Sequence, residues 1–304
     1  MRTIRIMPLL PVMLLLGGPS ERSSDSAGVI EASRRRDGLT VVSFNIRYDN
    51  PGDGENAWPK RRDRVIALLR SFEADLIGLQ EVLPSQRRDL EAALGRTTDE
   101  TGKPGTGYVF RGVGRDDGVN RGEQSPVLYR ADRFEEVAWG TWWLSETPDK
   151  PSRGWDAALN RVATWVRLKD RVTGQSLLAV STHFDHRGEQ ARLESARWLA
   201  SRLADEPRVV LLGDFNARPG SPPHLALTTV EAREDATTRA LRDAAGDDAS
   251  PTWCDWDGEP DEGMRIDWIL LRGYEVERYQ VPAWSDRTRP ESDHLPVAAR
   301  LRPE

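Results

Sequence analysis

Cysteine is nearly absent: Cys254 stands alone among 304 residues. The chain can therefore form no internal disulfide, thiolate metal cage or dithiol redox pair. Histidine is almost as scarce, at four residues, too few for histidine-rich ligand sets. No apolar run approaches the roughly 20 residues that span a bilayer; the longest covers residues 6–16. Neither sign of charge dominates, with 43 basic and 49 acidic residues and a net charge of −6. A chain 38% hydrophobic and 30% charged, with 25 Gly in no fixed period, is not disordered throughout, collagenous or a membrane bundle. Its length suits one large domain or two small ones. With no disulfides, stability must come from the core, and 11 Trp against five Tyr and six Phe supply a large apolar payload.

The amino terminus reads as an export signal: Arg2 and Arg5, the apolar run, then Gly17, Gly18, Pro19 and Ser20. No cysteine follows, which argues against a lipid-modified terminus. The boundaries expected are a signal peptide at 1–20, a Ser/Arg-rich linker at 21–38 and a single domain at 39–304, exported to the periplasm or medium. Six basic and three acidic residues precede Asp37, which leaves residues 37–304 at −9. Such a balance does not favour a tight, sequence-blind grip on a polyanion. Metal-binding carboxylates also inflate that count, so nucleic acid stays open as a partner. No membrane span and no obligate protein partner are expected.

Short apolar runs that end abruptly in polar residues predict core strands at 40–44, 76–79, 177–181, 209–212, 269–271 and 295–301. Apolar spacings of three and four predict helices around Val65, Leu68, Leu69 and Phe72, and around Ala196, Leu199, Ala200 and Leu203. Hairpin-like pairs, such as 162–168 with 177–182, mix with strand–helix units, which points to a layered α/β sandwich with mixed sheets.

Polar residues at the ends of buried strands are costly unless satisfied, and here they recur in five separate segments. They are expected to converge on one sheet edge, with His183 and Asp185 sharing a face, as Asp214 and Asn216 do. Asn45, Glu81, Asp293 and His294 complete the pocket. Hard oxygen ligands such as Glu81 and Asp214, with no Cys/His ligand spacing, favour Mg²⁺ or Mn²⁺ over zinc. A cation, a positioned base and hydrogen-bond donors are the needs of phosphate ester hydrolysis. Asp267 is a candidate partner to fix the His294 tautomer.

Asn45 in SFNIRYD, Glu81 in LQEV, His183 and Asp185 in STHFDH, Asp214 and Asn216 in GDFNARP, Asp267 in RIDWIL and Asp293-His294 in SDHLPV together resemble the endonuclease/exonuclease/phosphatase superfamily. The resemblance covers roughly residues 39–302 and implies a deoxyribonuclease I-like, four-layer α/β/β/α sandwich of two mixed sheets. It implies Glu81 on the catalytic metal with Asn45 and Asp293 beside it. Asp214 would orient or deprotonate water, and Asn216 would hold phosphate. His294 with Asp267 would form the catalytic dyad, and His183 would contact the phosphate or leaving group. Arg161 fits either a phosphate contact, with Asp185 beside the substrate, or a strand-end ion pair. Trp142, Trp143 and Trp256 fit either packing or a substrate groove.

The segments FNIRYDNPGDGENAWPKRRDRV, WWLSETPDKPSRGWD and RVATWV resemble the compact bacterial metal-dependent hydrolases of that superfamily. The stretch PAWSDR echoes inositol 5-phosphatases but lies too close to SDHLPV. The expectation is an exported metal-dependent phosphodiesterase or nuclease. The alternatives are a phosphomonoesterase acting on sugar or inositol phosphates, or a silent binding module of the same fold.

Overall fold

The computed structural model describes residues 38–95, 105–229, 240–256, 261–284 and 286–304. The expected signal peptide, and all of the expected linker except Gly38, lie outside them. In chain order the elements are β1 (Leu39–Asn45), a 3₁₀ turn (Pro51–Asn56), α1 (Trp58–Ser71), β2 (Leu76–Gln80), α2 (Pro84–Leu94), β3 (Tyr108–Arg111), β4 (Val127–Arg130), β5 (Phe134–Trp143), β6 (Val162–Asp170), β7 (Ser176–His183), α3 (Glu189–Arg202), β8 (Val209–Asp214), α4 (Pro222–Thr228), β9 (Arg242–Asp243), β10 (Asp267–Arg272), β11 (Tyr274–Gln280) and β12 (Val297–Pro303). The last strand begins two residues later than its apolar run, because the Leu295 N–H is taken by the Thr252 carbonyl instead.

Two six-stranded sheets form, ordered β11-β12-β1-β2-β4-β3 and β5-β6-β7-β8-β10-β9. Both are mixed: β1 runs parallel to β2 and β7 to β8, each pair joined through a helix, and the remaining pairs are antiparallel. Alternation along the central strands sends their side chains to three cores, one between the sheets and one under each helical layer. Leu39 and Val41 meet Leu177, Ala179, Val210, Leu212 and Ile269 between the sheets. Val42 and Phe44 face the other way onto Val65, Leu69 and Leu90 of α1 and α2. Leu178, Val180, Val209 and Leu211 likewise pack on Ala196, Leu199 and Leu227 of α3 and α4. The order of layers is helix, sheet, sheet, helix, the four-layer sandwich that the motifs imply. At Gly78 the sheets approach so closely that a Cβ would lie 2.7 Å from Leu212 Cβ. No helix among the described residues is long and apolar enough to cross a membrane.

The inter-sheet rows explain where polar residues collect. Leu39, Val41, Ser43 and Asn45 form one row, Leu177, Ala179, Ser181 and His183 a second, and Val210, Leu212 and Asp214 a third, each apolar until its carboxyl-terminal end. β10 runs antiparallel to β8, so its row begins at the same edge, with Asp267 paired to Asp214. Asp214 in turn pairs with His183 across β7 and β8. Three polar side chains therefore lie side by side on neighbouring strands at one end of the sandwich.

Candidate active site

Asn45 closes β1 and is fully buried. Its Nδ2 donates to Glu81 Oε1 at 3.1 Å and Asp214 Oδ2 at 3.0 Å, and lies 3.4 Å from His294 Nε2. The backbone N–H of Arg47 donates to Asn45 Oδ1 at 2.9 Å, which fixes the amide orientation. Glu81, just after β2, holds a left-handed φ of 63°, costly for a residue with a Cβ. Its Oε2 accepts from the Tyr48 N–H at 3.0 Å. Ser292 Oγ donates to the Asn45 carbonyl at 2.7 Å, tying the Asp293-His294 segment to the end of β1.

On the second sheet, His294 Nδ1 donates to Asp267 Oδ2 at 2.9 Å, a bond to a pure acceptor that leaves Nε2 facing Asp214 Oδ2 at 3.8 Å. Burial opposes a charged His294, but Asp267, Asp214 and Asp293 outweigh it and push the imidazolium pKa up to about 10. Burial and repulsion from Asp267 raise the Asp214 carboxyl to about 7, against the pull of His294 and the hydrogen bonds from Asn216 and Asn45. Burial also raises Asp293, and its repulsion with Glu81 acts the same way.

Asn216 follows β8 at φ 47°; that turn lets its N–H donate to Asp214 Oδ1 at 2.9 Å. Its Nδ2 donates to the Phe184 carbonyl at 3.1 Å and lies 3.0 Å from His183 Nε2. A carbonyl only accepts, so the amide nitrogen is assigned and His183 Nε2 accepts its second hydrogen. His183 is neutral, held well below the ordinary histidine range by burial and by Arg161 and Arg115. Its proton is then on Nδ1.

The structure thus brings Asn45, Glu81, His183, Asp214, Asn216, Asp267, Asp293 and His294 together. Asp185 reaches this group through Arg161. β7 ends at His183, and Asp185 turns its Oδ1 to the N–H groups of Arg187 and Gly188 at 3.0 and 2.8 Å. Its Oδ2 takes the Leu159 N–H at 3.2 Å and Arg161 Nε at 3.3 Å. Asp185 therefore supports the turn into α3 and the Arg161 side chain. Arg161 has the strand-end ion pair, and its Nη2 lies 2.9 Å from His186 Nδ1. Trp142 is stacked on Trp165, at 5.4 Å between centroids, and Trp143 donates from Nε1 to the Arg115 carbonyl at 2.7 Å, so both are packing residues.

Several participants carried no sequence signal. Arg61 of α1, fully buried, donates to the carbonyls of Arg47 and Glu291, at 2.6 and 3.0 Å, and clamps the β1 end to the Asp293 segment. Arg47 lies 3.5 Å from Asp293 Oδ2 and pairs with Asp53 at 3.0 Å. Arg115 pairs with Glu123 at 2.8 Å; the glycines around both were the one available hint.

The donor set fits a hard divalent cation. Asp214, Asp267 and His294 each offer a ligand atom, all within 4.8 Å of one another. Asp267 Oδ1 is buried with no hydrogen-bond partner, and Asp214 and Asp293, raised first by burial and then by the neighbouring carboxylates of Asp267 and Glu81, lie where a cation would offset both. The adjoining carboxylates of Glu81 and Asp293 extend that set with oxygen ligands suited to Mg²⁺ or Mn²⁺.

Comparison with known proteins agrees with this architecture. An endonuclease/exonuclease/phosphatase of Bacteroides vulgatus is 35% identical, with a TM-score of 0.76, over 88% of this chain and 99% of that one. The mannosyl-6-phosphatase of Bacteroides thetaiotaomicron is 32% identical, TM-score 0.76, over 86% and 99%. The human nocturnin catalytic domain, at 18% identity and TM-score 0.64 over 88% and 96%, shares the fold. Among curated proteins, the uncharacterized protein L388 of Acanthamoeba polyphaga mimivirus is 25% identical over 166 residues, 52% of this chain and 59% of that protein; the match thus spans little more than half its length. The Endonuclease/Exonuclease/phosphatase family model matches residues 42–294, and with it the sandwich and the strand-end carboxylates place this chain in that family.

Proposed function

We propose that the protein is an exported, divalent-metal-dependent hydrolase of phosphate esters, and that its substrate is a phosphomonoester of a sugar. The observation that carries the hydrolase reading is the continuous network Glu81–Asn45–Asp214 with Asp267–His294 closing on it. The residue roles follow from those contacts. Asp214, oriented by Asn45 and by the Asn216 N–H, takes the proton of the attacking water as its oxygen forms the bond to phosphorus. His294, held by Asp267, faces the same point with Nε2 and stabilises the charge gathering on the phosphoryl oxygens. The Asn216 amide and His183, whose Nε2 lies 3.4 Å from Asp214 Oδ2, hold the phosphate and the departing oxygen as the ester P–O bond breaks. Glu81, with Asn45 and Asp293 at its side, would hold the metal, which supplies Lewis-acid polarisation of the phosphoryl oxygens.

The motifs by themselves rank diester cleavage first. The 32% identical mannosyl-6-phosphatase, aligned over nearly its whole length, supports a monoester instead, as does the acidic balance, which suits a small substrate better than a nucleic acid polyanion. Export rests on the basic and apolar pattern of the first residues.

The test is hydrolysis of p-nitrophenyl phosphate, mannose 6-phosphate and bis(p-nitrophenyl) phosphate with Mg²⁺ or Mn²⁺. Monoester turnover should exceed diester turnover and should collapse with EDTA and in His294→Ala. Turnover that survives both controls would overturn the metal- and His294-dependent mechanism, no turnover of any of the three would overturn the hydrolase reading, and diester preference would overturn the substrate class.

A further inference from the structure

Next to the carboxylates lies a second group of charged side chains that the mechanism above leaves unused. Arg115, Glu123, Ser125, Arg161, Val162 and His183 line a niche whose free volume, about 10 Å³, matches one oxygen atom or one water. The side chains of Arg115, Arg161 and His183 are only 9%, 5% and 8% exposed. Each nevertheless carries a buried nitrogen without a hydrogen-bond partner: Arg115 Nε, Arg161 Nη1 and His183 Nδ1. The tautomer set by Asn216 makes His183 Nδ1 a donor, so all three are N–H groups in search of an acceptor, and buried donors left unpaired are costly.

The position of Arg115 is built. Its N–H donates to the Glu123 carbonyl at 3.1 Å, and its own carbonyl accepts from Trp143 Nε1 at 2.7 Å and Asn160 Nδ2 at 3.3 Å. The loop between them closes tightly because Gly122 holds φ +78°, where a Cβ would lie 2.5 Å from Asp116 Oδ2. Glu123 Oε2 then accepts from Arg115 Nη1 at 2.8 Å. Arg161 is braced in the same way by Asp185 and His186. Such bracing leaves Arg115 Nε and Arg161 Nη1 as fixed donors.

A water molecule has two lone pairs for three donors, two of them on cations, whereas an anionic phosphoryl oxygen can accept from all three. We infer that this niche receives an unsubstituted, anionic oxygen of the substrate's phosphoryl group, with Arg115 and Arg161 as binding residues and Glu123 as the positioning residue for Arg115. The inference rests on the phosphoesterase reading and deepens it. Every oxygen of a phosphomonoester except the departing one is bare, and the group carries a second negative charge above a pKa of about 6. A diester keeps two bare oxygens, either of which fits the niche, but it carries one negative charge fewer to set against the two guanidinium groups. That difference in charge favours monoesters.

The test uses the full chain with Mg²⁺ and two readouts. The first is steady-state hydrolysis of p-nitrophenyl phosphate and bis(p-nitrophenyl) phosphate; the second is calorimetric binding of inorganic phosphate, which needs no turnover. Arg115→Gln should raise the monoester KM and the phosphate dissociation constant about ten- to a hundredfold while kcat changes little. Arg115→Lys, which keeps the charge but loses Nε–H, and Glu123→Gln should move both constants the same way by less, and the diester KM should move least of all. Thermal midpoints show whether each variant folds, and Arg115→Lys carries the test if Arg115→Gln does not. Folded Arg115 variants with unchanged phosphate binding would overturn the inference and leave the niche to a structural water, even with hydrolysis intact. Arg115-dependent phosphate binding in a protein that hydrolyses neither ester would keep the niche and overturn the hydrolase reading.

Discussion

Among the described residues the Asp267 carboxylate has one side-chain partner, His294, and that bond decides which imidazole nitrogen faces Asp214. An amide at the same position can present an N–H to Nδ1 and so reverse the tautomer. Asp267→Asn should therefore lower kcat by about 10²–10⁴ with little change in KM, checked by steady-state kinetics at neutral pH; a loss under tenfold would deny the dyad its role. Asp243 shows the same physics in a structural setting. It accepts from His224 at 3.0 Å and from Arg265 at 2.7 Å. Burial pushes its carboxyl up, but those two partners outweigh it and leave the pKa below the usual carboxylate range. The unfolded chain then binds the more protons, so the stabilisation is complete above the unfolded value of about 3.9 and is lost as pH falls through the lower native one. Asp243→Asn strands the buried Arg265 guanidinium and should cost about 3–5 kcal/mol at pH 7. The gap in denaturant midpoint from the parent protein should narrow below pH 4; a gap independent of pH would exclude the carboxylate as its source.

At the scale of elements, α3 is preceded by Gly188 at its N-cap, which has no side chain to cap it. Its cap comes from a distant loop: Asp156 accepts from the N–H groups of Gln190 and Ala191, at 3.3 and 2.6 Å. Gly188 makes this approach feasible, because a Cβ there would lie 2.6 Å from Asp156 Oδ1. Asp156→Ala should cost about 0.5–2 kcal/mol, the worth of a helix cap with its charge at the positive end of the dipole. Chemical denaturation measures it, and no loss would mean water replaces the cap. Nothing near α3 in sequence announces Asp156. The strand ends, by contrast, were legible: the switch from Leu177, Ala179 and Ser181 to His183 is a period-two pattern that breaks at one residue. The edge strands β3 and β9 and the helix α2 were not, since short segments with mixed polarity have no period of their own and take their form from their neighbours.

For the whole molecule, the site joins two sheets, so whatever binds Glu81 of one sheet and Asp214 of the other also ties the layers together. A cation that binds the folded state alone stabilises it by about 2.7 kcal/mol at a hundred times its dissociation constant. Mg²⁺ or Mn²⁺ should raise the thermal midpoint by about 5–10 °C, EDTA should reverse the rise, and Glu81→Gln should abolish most of it. A midpoint indifferent to metal in calorimetry would contradict the cation site.

The residues of the centre were readable without coordinates, because a buried strand that ends in a carboxylate, carboxamide or imidazole violates local polarity rules, and several motifs do so in one order. Folding alone decided their company. Asn45 meets Asp214 across 169 positions, a contact that depends on how two sheets face each other and on register between strands far apart in the chain. Tertiary structure also tied Asp185 to Arg161 and set Arg115 beside it. Local sequence encodes period and polarity, but it does not encode which buried donors will be left without an acceptor once the layers close; at Arg115, Arg161 and His183 that remainder was decided by packing.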